Sequence, residues 1–116
     1  MIEAIKRPDT EVLAFRMVGD ITKADYEVLT PAVEKAVEEH GAVRLLLDMT
    51  EFKWERVEAW GSDLRFGRAL HDKIERMALV GDQAWGKYLA KIAAPFYAHK
   101  IEWFHDADKA WTWVES

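Results

Sequence analysis

The run VRLLL at residues 43–47 constrains this chain most. It is continuous and β-compatible, and segments of helical period flank it on both sides. A strand of that kind is covered on both faces, which calls for a sheet between layers of helix. The run ends on one carboxylate, Asp48. In α/β domains, a strand end that feeds a helix is where sites are built.

The rest of the chain repeats the alternation. Residues 2–6, IEAIK, read as a short strand, and Pro8-Asp9 is a turn signal. Residues 12–18, VLAFRMV, resume extended structure, and Gly19-Asp20 closes the hairpin. Thr22, with Asp25 three residues on, is an imperfect capping box. Tyr26, Leu29, Val33, Ala36, Val37 and His40 then follow at helical spacing, and Gly41 suits the position after a helix end. Pro31 lies inside this pattern and predicts a kink or a restarted helix. A second helix is expected over residues 55–70, with Val57, Trp60, Leu64, Gly67 and His71 as its inner stripe. Residues 74–80 form another strand. Trp85, Tyr88, Leu89, Ile92, Ala93 and Phe96 mark a third helix. Residues 100–104, KIEWF, are the last strand. Asp106 caps a final helix that turns Ala107, Ala110, Trp111 and Val114 inward and leaves Trp113 off that face.

The expected order is therefore ββαβαβαβα, an α/β fold with a mixed five-stranded sheet and four helices. Short loops and right-handed crossovers make the last four strands largely parallel, with the first antiparallel at the edge. At 116 residues the chain reads as one domain, 1–116, with enough apolar material for a core.

Composition narrows the function classes. There is no cysteine, so disulfides, thiol chemistry and thiolate metal sites are excluded. The 16 Lys+Arg against 21 Asp+Glu, with no basic cluster, argue against nucleic-acid binding. No stretch has the roughly 18 apolar residues of a membrane span, and residues 1–9 read as a strand rather than a signal peptide. A cytoplasmic location is expected. His40, His71, His99 and His105 make no ligand pair at helical spacing, so no metal is expected. Gly81-Asp82-Gln83 is not a phosphate-binding fingerprint. Glu55 and Glu58 read as first-turn acids that favour the helix dipole. No acid–base team appears, and the chain is expected not to be an enzyme and to need no cofactor.

Several quoted segments, in this order, resemble the SpoIIAA-like family, small bacterial proteins related to STAS domains with the anti-sigma-factor-antagonist fold. They are GDITKADYEVLTPAVEKAVEEHG, LLLDM ending at Asp48, WGSDLRFG, ERMALVGDQAW and EWFHDADKAWTWV. The resemblance covers essentially the whole chain and implies a mixed five-stranded sheet. Anti-sigma antagonists carry a phosphorylatable Ser at the start of the helix after the Asp-ended strand. Here EFKWERVEAW has none, and Thr50 and Ser62 are the nearest hydroxyls. The branch also resembles CRAL-TRIO lipid carriers in fold, which implies an apolar ligand.

Six Trp in so short a chain need a place, because Trp is bulky and rarely buried whole. Phe52, Trp54, Val57, Trp60 and Leu64 are expected to line a mouth for an apolar or lipid-like ligand near a membrane surface, with Trp85 and Tyr88 on the opposite wall. Core packing explains Trp60 and Leu64 at least as well, and burial against a second copy would use the same rings. The alternative is a protein–protein regulatory module of anti-sigma-antagonist type without the usual Ser. For Asp48 the expected role is structural: a strand-end carboxylate that holds the following turn.

Overall fold

The computed structural model describes residues 1–8, 10–55, 70–82 and 100–116. In chain order they form β1 (Ile2–Ile5), β2 (Leu13–Ile21), α1 (Lys23–His40), β3 (Val43–Glu55), a short 3₁₀ turn (His71–Lys73), β4 (Ile74–Val80), β5 (Lys100–Phe104) and α2 (Ala107–Glu115). The strands make one sheet in the order β1-β2-β3-β4-β5. β1 runs antiparallel to β2, and every other neighbouring pair is parallel.

The strand registers sort side chains into rows across the sheet. On the α1 side, Ala4, Phe15, Leu47, Leu79 and Trp103 form one row, with Leu13, Leu45, Met77 and Ile101 in the next. These rows are apolar, and Tyr26, Leu29 and Val33 of α1 bury against the same cluster. Among the described residues, the other face is apolar along its middle row, Ile5, Ala14, Leu46 and Ala78, and at Val80 and Phe104 in the row beside it. There α2 lays down Ala110, Trp111 and Val114. Leu45, Leu46 and Leu47 are all buried because β3 is covered on both faces.

α1 begins where Asp25 reaches back to Thr22. Its Oδ2 accepts the Thr22 N–H at 2.8 Å and the Thr22 hydroxyl at 3.0 Å, and the Met1 amino nitrogen lies 3.4 Å from the same oxygen. Burial pushes the Asp25 carboxyl up. The two Thr22 bonds and the amino group outweigh it, so the carboxyl is held below its usual value. A depressed carboxyl contributes stability above its unfolded value of about 3.9 and loses it as pH falls through the folded value. Thermal unfolding between about pH 5 and pH 2 should therefore fall more steeply for the native chain than for Asp25→Asn. Parallel curves would show that this cap does not contribute to acid stability. At its far end α1 closes on Gly41, whose φ of +83° frees its N–H for the Val37 carbonyl at 2.7 Å.

Three expectations are corrected. The described residues hold two α-helices, α1 and α2, not four. The helices expected over 55–70 and around 85–96 fall on residues 56–69 and 83–99, outside the described residues. Where that first helix was to begin, Glu55 is instead the last residue of β3, and a 3₁₀ turn follows Leu70. β3 continues past Asp48 because TEFKWE is rich in β-formers and finds pairing partners in β2. β2 in turn continues through Gly19-Asp20 to Ile21 rather than stopping there. α1 does not restart at Pro31 but runs through it, and Pro31 is exposed, so the carbonyl left without its bond can turn to water. Trp113, off the inner face of α2, is half-buried against Phe104, with ring centroids 5.6 Å apart.

Candidate functional site

β4 pairs with β3 only as far as the Asp48–Val80 register. Beyond it, the ladder of β3 with β2 carries two irregularities. Arg16 faces Asp48 and Val18 faces Glu51, so Met49 and Thr50 oppose Met17 alone. Gly19 faces Phe52 and Asp20 faces Trp54, which leaves Lys53 as the extra residue. Gly19 meets this second bulge with φ +66°, a conformation only glycine adopts cheaply.

Asp48 holds the first bulge. An extra residue takes the Thr50 N–H out of the ladder, and a donor without a partner is costly. Asp48 Oδ1 accepts that N–H at 3.0 Å and the Thr50 hydroxyl at 2.7 Å. Its second oxygen, Oδ2, lies 3.6 Å from Arg16 Nε. Register continues the row outward, since Glu3 faces Arg16 from β1. The result is a Glu3–Arg16–Asp48 charge ladder with alternating sign on the α2 side of the sheet. The Asp48 side chain is 17% exposed and Arg16 44%. Glu3, Thr50, Glu51 and Lys53 are exposed around them. The patch presents charges and a hydroxyl on bulged backbone, features suited to polar recognition.

Most of the aromatic threshold expected from the sequence lies outside the described residues. Phe52 is half-buried and packs on the α1-side core. Trp54 belongs to β3, opposite Asp20. Val57, Trp60, Leu64, Trp85 and Tyr88 lie outside the described residues. No group of three or more His, Cys, Asp or Glu among the described residues is placed to hold a metal ion.

Arg16 was missed by sequence reasoning. Its position in the second strand was legible, but its partner depends on the register of β2 with β3, strands separated by the whole of α1. Arg44 and Arg76 were missed for a similar reason. They face each other across β3 and β4 and both reach the C-terminal carbonyls of α2.

At the opposite end of the sheet an open cleft of about 570 Å³ lies among Glu11, His40, Arg44, Glu75 and Glu115. Arg44 is already engaged there with Glu75 at 3.1 Å. None of the residues expected to bind a ligand lines it among the described residues.

A mixed five-stranded sheet with helices on both faces makes this an α/β domain. The SpoIIAA-like family model matches residues 12–115, and the chain belongs to that family. It is similar to a crystal structure of an uncharacterised protein with a SpoIIAA-like fold from Shewanella loihica PV-4. The identity is 28%, 98% of this chain and 92% of that one are covered, and the TM-score is 0.84. It is also similar to the anti-sigma factor antagonist SpoIIAA in its unphosphorylated form, at 14% identity, 98% and 97% coverage and TM-score 0.67. At 14% identity that second likeness is one of fold. None of the curated proteins compared with the chain matches it. The family assignment makes the chain a non-enzymatic domain. No helix among the described residues is long and apolar enough to cross a membrane.

Proposed function

We propose that the chain is a protein-binding regulatory module and that its partner meets the Glu3–Arg16–Asp48 ladder and the bulged end of β3. The observation that carries this reading is membership of the SpoIIAA-like family over residues 12–115, with an anti-sigma factor antagonist sharing the fold. The local surface supports it. Arg16, Thr50 and Glu51 stand exposed around a carboxylate fixed by two hydrogen bonds. Fixed charges of alternating sign give specificity in recognition more than raw affinity.

An apolar or lipid-like ligand was the first expectation. Phe52, the one proposed lining residue whose side chain is described, spends its ring on the core. The regulatory reading is therefore preferred, and a lipid ligand, peripheral membrane contact or self-association become outcomes to separate from it.

Affinity capture from an extract of the source organism, near endogenous concentration, tests the proposal. The native chain should retain a partner protein, and Arg16→Glu should lose it while keeping the thermal midpoint within a few degrees. Capture that is equal for both chains, or that returns only the chain itself, would overturn it. Co-sedimentation with phospholipid vesicles tests the lipid and membrane outcomes, and sedimentation over a dilution series tests self-association.

A further inference from the structure

We infer that α2 is a latch that opens as a unit while the sheet and the α1-side core stay folded, and that Arg76, with Arg44, is its catch. α2 has nine residues, fewer than the roughly 12–15 that an isolated helix needs to be even marginally stable in water. It depends on docking. Among the described residues, its apolar contact is the strip of Ala14, Leu46, Ala78 and Val80, flanked by Ile5, Val12 and Phe104. The larger cluster on the other face includes no residue of α2.

What completes the docking is charge supplied by the sheet. The last turn of α2 holds no basic residue, although a helix C-terminus carries partial negative charge on its unpaired carbonyls. Arg44 Nη1 donates to the Val114 carbonyl at 3.0 Å. Arg76 Nη1 donates to the Trp113 carbonyl at 2.8 Å and to the Ser116 hydroxyl at 2.7 Å. The Arg76 guanidinium also lies 5.2 Å from the centre of the Trp113 ring, and Arg7 lies 4.3 Å from that of Trp111.

The register explains why this catch is two-sided. Arg44, Arg76 and Lys100 are successive neighbours across β3, β4 and β5. Like charges directly opposite one another are unfavourable; Glu75, 3.1 Å from Arg44, offsets part of that repulsion, and the α2 carbonyls offset more of it at Arg44 and Arg76. A docked α2 therefore relieves part of the repulsion in this row, chiefly at Arg76, while satisfying its own end. Opening uncovers an apolar strip beside a row of three cations, on a chain whose net charge is -5.

Hydrogen exchange followed by NMR across a denaturant series decides the matter on the native chain. The amides of Trp111 to Val114 should exchange through an opening of lower free energy than those of Leu45 to Leu47 and Leu79, with a shallow denaturant dependence. Arg76→Ala should speed α2 exchange by about 10–100-fold, the loss of hydrogen bonds to a charged donor. α2 amides that track the β3 and β4 amides at every denaturant concentration would overturn the inference. So would α2 exchange that Arg76→Ala leaves unchanged. If that variant does not fold, the native chain's exchange pattern alone still decides whether α2 is a separate unit.

Discussion

Leu45→Ala should lower the free energy of unfolding by about 3–5 kcal/mol, read as a shift of the urea midpoint at unchanged slope. Leu45 has no exposed surface and sits in the central strand between Leu13 and Met77. Truncation removes the transfer free energy of the lost carbons and leaves a cavity as well. Neighbouring strands on both sides hold the walls of that cavity apart, so little of it can collapse. Domains of this size have about 5–15 kcal/mol in total, and one substitution would take a large share. Leu46, one residue on, points at α2 instead. Leu46→Ala should fall at the low end of the range, about 2–3 kcal/mol, because a short helix can settle onto a smaller residue. Equal losses at the two positions would count against the two-layer account.

The second large effect concerns the site. Asp48→Ala should cost about 1–3 kcal/mol, since the Thr50 N–H and hydroxyl lose their acceptor together. Thr50 is exposed, so water recovers part of this and the lower half of the range is expected. Asp48→Asn keeps an oxygen for the Thr50 donors and loses only the charge facing Arg16. For a half-exposed partner at 3.6 Å that charge is worth at most about 1 kcal/mol. The pair of variants separates the two roles of Asp48. If the bulge is what the partner reads, Asp48→Asn retains the partner and Asp48→Ala releases it. If the charge ladder is what matters, both release it. A Thr50 amide signal that does not move in Asp48→Ala would show that the carboxylate does not hold the bulge.

Much of the fold was legible because it rests on local chemistry. Strand positions at 2–5, 74–80 and 100–104 follow from β-compatible runs between turn signals. α1 follows from the 26, 29, 33 spacing, its Thr22–Asp25 start and Gly41. α2 follows from Asp106, whose carboxylate accepts the Asp108 N–H at 2.8 Å, and from the 110, 111, 114 face. The site was less legible. Asp48 looked like the end of a strand because Thr50 and Glu51 are polar, and polar residues after an apolar run read as a loop. In the tertiary structure the same residues belong to a strand exposed on one face. Aromatics at 52 and 54 read as the entrance to a helix for the same reason, and pairing with β2 overrode that pattern.

The amino-acid sequence by itself determined the strands at 2–5, 74–80 and 100–104, the helices α1 and α2, the antiparallel first strand and the carboxylate at position 48. All of these are set by periodicity, capping and turn chemistry within a few residues. Only the tertiary structure decided that β3 runs on to Glu55, that Arg16 faces Asp48, and that Arg44 and Arg76 hold the end of α2. Each of these depends on register between strands distant in the chain, and a bulge of one residue resets which side chains meet.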